Sequence, residues 1–186
     1  MPGPLSGHTI AFLVAPEGVE QVELTQPWNA VKQAGATPWL VSTGGGDIQA
    51  FHHLDRGDTF PVNATVDNTD PSDFAGLVLP GGVANPDFLR TQATAVDFVR
   101  AFAQSGTPIA AICHAPWTLV EAGVLRGRTL TSWPSLRTDI ENAGGTWVDK
   151  EVVVDDSGAG RLVTSRKPDD LKAFSEHAIE AFTPSR

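Results

Sequence analysis

Cysteine is almost missing from this chain. One residue, Cys113, stands among 186, so no internal disulfide can form and a reducing, cytoplasmic compartment is expected. Basic residues are few: 13 Lys and Arg face 22 Asp and Glu, a formal net charge of −9. That balance argues against a nucleic-acid or anionic-membrane surface, and scattered cations such as Arg126 and Arg128 form no patch. No apolar run reaches the roughly 18 residues that a membrane-spanning helix requires. The opening stretch, Met1 to Gly7, has neither a basic region nor an apolar signal core. It reads as a flexible lead-in over residues 1–7, with residues 8–186 as a single domain long enough to bury a real core.

The lone cysteine sits in Ala110-Ala111-Ile112-Cys113-His114-Ala115-Pro116. The apolar run Pro108–Ile112 before it predicts a buried parallel strand, and His114 to Ala122, stopping at Gly123, predicts a helix. Cys113 therefore falls at a strand-to-helix turn, the geometry of a nucleophile elbow. The positive end of the helix would favour thiolate over thiol.

The rest of the chain alternates. His8–Ala15 reads as a central strand, Pro16-Glu17-Gly18 as a turn, and Val19–Leu24 as the lead into a helix that ends at Gly35, with Pro27 near its start. Thr37–Ser42 is a second strand, parallel to the first. Gly44-Gly45-Gly46 is followed by no helix pattern and no Lys-Ser/Thr, which argues against a phosphate loop. Residues 48–66 read as short strands beside the main sheet, with Asp55–Asp58 as a turn. His52 and His53 lie there as adjacent residues pointing to opposite faces, a poor pair of metal ligands. Gly76–Leu79 is a third core strand running into Pro80-Gly81-Gly82, and helices follow from Asn85 and over Ala93–Gln104. Beyond the cysteine come a short strand at Thr129–Thr131, a helix over Pro134–Ala143, a hairpin of Glu151–Asp155 with Leu162–Ser165, and a helix from Pro168 to Phe182. This alternation predicts a three-layer α/β/α sandwich with a mainly parallel sheet.

Open α/β sheets bind ligands beyond the carboxyl ends of their strands. Three such ends carry candidates: Glu20, the pair Gly81 and Gly82, and Cys113 with His114. Cys113 would attack a carbonyl carbon. The N–H groups of Gly81, Gly82 and His114 would form an oxyanion hole. His114 is a candidate acid or base, although neighbouring side chains at a helix start diverge. Glu20 would hydrogen-bond Cys113, and repulsion from a thiolate would favour its protonated form. Glu23, further along the helix, reads as structural.

Several stretches together resemble the ThiJ/PfpI superfamily, of the class I glutamine amidotransferase-like fold, and in particular its PfpI branch of intracellular proteases and stress proteins. They are Glu17–Leu24, Leu79-Pro80-Gly81-Gly82, Ala111–Pro116, Ala122–Arg128 and Val163–Leu171. The resemblance implies a flavodoxin-like sandwich, a nucleophilic Cys113 and an acidic partner in Glu20. It further implies a Cys-His-acid triad completed by a carboxylate from a neighbouring subunit. Asp87 stands at that place, one methylene shorter than the Glu more familiar there. A homodimer or higher homo-oligomer is expected accordingly.

The implied function is a stress-response hydrolase attacking carbonyl groups, with deglycase, glyoxalase or peptidase activity on a small carbonyl or peptide substrate. The alternative is a non-enzymatic redox sensor or chaperone in which Cys113 is oxidised. No cofactor and no metal are implied. A glutamine amidotransferase proper is disfavoured, because His177 and Glu180 lie in a C-terminal helix without the preceding strand such enzymes have.

Overall fold

The apolar runs read as strands assemble side by side. The computed structural model describes residues 3–184. In chain order the elements are β1 (Thr9–Val14), β2 (Glu17–Glu20), α1 (Gln21–Gln33), β3 (Thr37–Ser42), β4 (Asp47–His52), β5 (Asp55–Pro61), β6 (Ala64–Thr65), β7 (Gly76–Leu79), α2 (Ala84–Leu89) and α3 (Ala93–Ser105). They continue with β8 (Ile109–Ile112), α4 (Pro116–Ala122), β9 (Thr129–Leu130), α5 (Arg137–Asn142), β10 (Thr146–Trp147), β11 (Val152–Asp155), β12 (Leu162–Ser165) and α6 (Leu171–Phe182).

The main sheet runs β11-β12-β8-β7-β1-β3-β6. Every pairing in it is parallel except that of β11 with β12. Alternate residues of the central strands serve opposite faces. Ala11, Leu13, Leu77, Leu79 and Ala111 pack with Val99 and Phe102 of α3 and Leu119 of α4. Ile10, Phe12, Val78, Ala110 and Ile112 pack with Leu24 and Val31 of α1 and Phe174 and Phe182 of α6. Strands covered on both faces must be apolar throughout, which is why β7 and β8 lack the polar alternation of an exposed sheet. The result is the three-layer, flavodoxin-like α/β/α sandwich with a mainly parallel sheet. α3 and α4 stop at Gly106 and Gly123, whose φ values of 78° and 71° suit glycine at a helix end.

Five local expectations are corrected. Residues 17–20 form strand β2, which pairs with β4, instead of a turn and helix start. Asp55–Asp58 opens β5; the hairpin turn lies one step earlier, at His53-Leu54. Together β2, β4 and β5 make a small side sheet. Pro27 lies inside α1 and not at its start, so the helix forgoes one N–H bond there. α4 begins at Pro116, because Cys113–Ala115 form a turn. Nor do residues 3–7 form a loose lead-in: Leu5 is fully buried among Ile10, Val31 and Ala34, and its N–H donates to Ala34 O at 2.9 Å. Met1 and Pro2 lie outside the described residues.

A buried leucine that loses its side chain leaves a cavity, at a cost of about 2–5 kcal/mol. Leu5→Ala is expected to lower unfolding stability within that range, and deletion of residues 1–7 to lower it at least as much. Urea denaturation followed by tryptophan fluorescence checks this; an unchanged midpoint for both variants would restore the loose lead-in.

Candidate active site

β8 ends at Ile112, and the next residue turns out of the sheet. Cys113 has φ +63°, left-handed backbone in a residue other than glycine, a conformation costing of order 1–3 kcal/mol that surrounding structure must hold. It is held from both sides: the Cys113 N–H donates to Ser165 O at 3.0 Å on β12, and Cys113 O accepts the Trp133 N–H at 2.9 Å. The chain then enters α4 at Pro116, a residue suited to a first helical position. The elbow is thus pinned by long-range backbone bonds, and its side chain sits at the carboxyl edge of the sheet.

The acid beside the thiol is Glu23, not Glu20. Glu23 lies in the first turn of α1 and is fully buried. Its Oε2 accepts the Gly81 N–H at 2.9 Å. Its Oε1 is buried with no N–H or O–H partner, and the carboxyl lies within hydrogen-bonding reach of the Cys113 thiol. Burial pushes this carboxyl up to about 8, which keeps it protonated at neutral pH. Glu20 instead ends β2, and its Oε2 accepts the His53 N–H at 3.0 Å. The cause of the exchange is β2 itself: with residues 17–20 extended, the helix starts later than expected, and the side chain aimed under the sheet edge is Glu23.

The thiol itself is raised, first by burial and then, once Glu23 ionises, by its charge, while the His114 and Gly82 N–H groups pull it down. The expected lowering by the helix start does not hold, because α4 is short, starts beyond the turn and is outweighed by burial. Thiol and carboxyl titrate as one coupled pair, since a negative charge on either disfavours a charge on the other.

His114 reaches the sulfur despite adjacency: Nδ1 lies 3.1 Å from Cys113 Sγ. Side chains diverge at a regular helix start, but the left-handed turn at Cys113 brings these two together. The ring is buried, stacked on Trp133 at 5.6 Å and edge-on to Trp117 at 5.3 Å. Burial lowers its pKa, so the imidazole is neutral at pH 7 and can accept a proton. Among the described residues no carboxylate hydrogen-bonds the ring.

The Pro80-Gly81-Gly82 turn meets the elbow from β7. A Cβ on Gly81 would stand 2.3 Å from Glu23 Oε2 and 2.7 Å from Cys113 Cβ; only glycine admits this approach. The Gly81 N–H is taken by Glu23, which removes it from the expected oxyanion hole. The N–H groups of Gly82 and His114 do converge on the sulfur. Asn85, fully buried at the start of α2, fixes the turn: its Nδ2 donates to Pro80 O at 3.0 Å and Gly81 O at 3.1 Å, and its Oδ1 accepts the Ala15 N–H at 2.7 Å. Sequence reasoning took Glu23 as structural and Asn85 only as a helix start, and passed over Trp133. The signal for Glu23 was its i, i+3 relation to Glu20, which puts both on one helical face and leaves the choice to register.

These groups floor a cavity of about 640 Å³, whose walls include Glu20, Leu54, Val83, Asp87, Trp133 and Pro168. Asp87 is exposed on α2 and is not bonded to His114 of its own chain. The His53 ring is exposed at the hairpin turn, and His52 closes β4. Among the described residues no three His, Cys, Asp or Glu side chains are grouped to hold a metal ion, and no helix is long and apolar enough to cross a membrane.

A model of the DJ-1/PfpI family matches residues 8–181. Deglycase PH1704 of Pyrococcus horikoshii is 42% identical over 171 residues, covering 92% of this chain and 97% of that protein. Protein/nucleic acid deglycase 2 of Escherichia coli is 39% identical over 170 residues, covering 91% and 95%. The crystal structure of Drosophila melanogaster DJ-1beta superposes with a TM-score of 0.81 at 27% identity, over 100% of this chain and 92% of that one.

Two outcomes follow from the buried carboxyl. Because Glu23 is raised from 4.5 to about 8 on folding, its neutral form stabilises the fold at low pH, and that contribution is lost as pH rises through this window, by up to about 1.4 kcal/mol per pH unit. Glu23→Gln should flatten the stability profile between those limits; chemical denaturation at several pH values measures the slope, and equal slopes in both proteins would contradict the assignment. Gly81→Ala should destabilise by about 1–3 kcal/mol through overpacking and slow alkylation of Cys113 by iodoacetamide, whereas wild-type behaviour would show the close approach to be loose.

Proposed function

The chain belongs to the DJ-1/PfpI family, and from that premise we propose that it is a cysteine-dependent hydrolase of the deglycase type, acting on carbonyl adducts with Cys113 as nucleophile. The observation that carries this reading is the cluster of Cys113, His114 and Glu23 at the floor of a cavity of about 640 Å³. Relatives at 42% and 39% identity are named deglycases, and a thiol attacking a carbonyl carbon is the step such chemistry needs.

In this reading the Cys113 proton moves to His114 Nδ1 as the new S–C bond forms. The π pair of the carbonyl passes to its oxygen, and the N–H groups of Gly82 and His114 are the donors available to the developing charge. Burial keeps the imidazole neutral, which suits it to take that proton. Glu23, itself protonated, donates toward the sulfur without adding a second negative charge. The cavity volume fits a drug-sized ligand, far more than a free three-carbon dicarbonyl fills, which favours an adduct borne on a larger body. Asp87 of a second copy of the chain is the proposed orienting acid for His114, in a homodimer.

Cys113→Ser is expected to reduce release of methylglyoxal adducts from a glycated peptide by at least about 10³-fold, and His114→Ala by about 10²–10⁴-fold. Retained turnover in Cys113→Ser defeats the nucleophile. Wild-type protein that protects a client from aggregation but turns over no adduct would move the reading to the oxidisable sensor.

A further inference from the structure

Glu20, freed from the thiol, has another task. Its side chain is 12% exposed, and Oε2 accepts the backbone N–H of His53 at 3.0 Å. His53 occupies the turn of the β4–β5 hairpin with φ +57°, again left-handed in a residue other than glycine. Two-residue hairpin turns demand such backbone and favour Asn-Gly or Gly at these places. His53-Leu54 offers neither, so the tip's conformation depends on an outside acceptor. A second clamp lies further down the hairpin: Gln21 accepts the Asp58 N–H through Oε1 at 2.7 Å and donates through Nε2 to Asp58 Oδ2 at 2.7 Å.

What the latch positions is Leu54. This apolar side chain is 94% exposed and yet lines the Cys113 cavity. Val83, 57% exposed, and Trp133, 37% exposed, line the same cavity from the turn before α2 and from the chain beyond α4. Three exposed apolar groups from separate segments around one reactive cavity form a rim, unlike the single scattered residues usual on surfaces.

We propose that Glu20 is a positioning residue for specificity: it latches the hairpin tip so that Leu54 forms a wall against which the body of a peptide-borne carbonyl adduct packs. The inference rests on the deglycase-type reading for its substrate, but not for the latch. Glu20 touches neither thiol nor imidazole; its charge also raises Glu23, and Glu20→Gln removes that charge while keeping an acceptor for the His53 N–H.

Glu20→Ala and Glu20→Gln in the full chain test it, because the Gln amide oxygen can still accept the His53 N–H. In Glu20→Ala the His53 amide should exchange with deuterium about fivefold faster or more, the loss of one hydrogen bond. KM for a methylglyoxal adduct on a peptide should rise by a similar factor, about fivefold, with kcat nearly kept, and less for the same adduct on N-acetylarginine. Glu20→Gln should restore most of both effects. A fall in kcat at constant KM, equal in both variants, would make Glu20 a chemical participant and overturn the proposal, as would unchanged His53 exchange. Labelling of Cys113 by iodoacetamide and by a bulky maleimide needs no turnover. A shift of their rate ratio in Glu20→Ala, reversed in Glu20→Gln, supports the latch even if no adduct is hydrolysed; an unshifted ratio counts against it.

Discussion

The Glu23 carboxyl accepts the Gly81 N–H at 2.9 Å and lies against the Cys113 thiol with no exposure to water. Three segments distant in sequence meet at this one group: α1, the turn after β7 and the elbow after β8. Each accepts a local cost. The carboxyl forgoes hydration and keeps its proton. Cys113 takes a left-handed backbone. The turn must carry glycine, because a Cβ at position 81 would strike both the carboxyl and the cysteine. None of these is stable alone; the sheet beneath, with backbone bonds from Ser165 and to Trp133, holds the elbow while α1 delivers the acid.

The electrostatics follow from that packing. Thiol and carboxyl are both disfavoured as charges, and the neighbouring imidazole is neutral for the same reason. The resting cluster is therefore uncharged at neutral pH, with a proton acceptor 3.1 Å from the sulfur. In the proposed reaction the thiol would be activated by passing its proton to His114, 3.1 Å away, instead of standing permanently as thiolate. The Gly82 and His114 N–H groups are directed at the sulfur, beside the place where the proposed attack would develop charge. A group of dipoles aimed at a charge that appears only during reaction is the arrangement most able to lower a barrier.

The two glutamates at the head of α1 show where reading a sequence stops. Glu20 and Glu23 are three residues apart and compete for one place under the sheet edge. Helical periodicity puts both on the same face, and nothing local says which turn of the helix lies at the elbow. That depends on where α1 begins, and its start depends on β2 pairing with β4 through a segment some thirty residues further along, a long-range contact of the kind local propensity does not encode. The same side sheet carries the hairpin whose tip Glu20 holds. One misplaced strand thus changed the apparent role of two acids. Leu5 teaches a related lesson: a single apolar residue between prolines and glycines has no periodicity, yet it fills a core position beside Ile10 and Val31.

What the sequence determined by itself is the layer order and the place of the candidate site. Apolar runs covered on both faces, alternating with amphipathic helices, leave few arrangements besides a parallel sheet between helical layers. A lone Cys-His where such a run turns into a helix, with a Gly-Gly turn after a neighbouring strand, marks Cys113, His114, Gly81 and Gly82. Tertiary structure decided the rest: that Glu23 and not Glu20 meets the thiol, that the Gly81 N–H is consumed by it, that Asn85 and Trp133 hold turn and imidazole, and that the cysteine is raised by burial instead of lowered by a helix. Burial and hydrogen-bond partnership belong to the packed chain, because each depends on which distant segments exclude water from the same few ångströms.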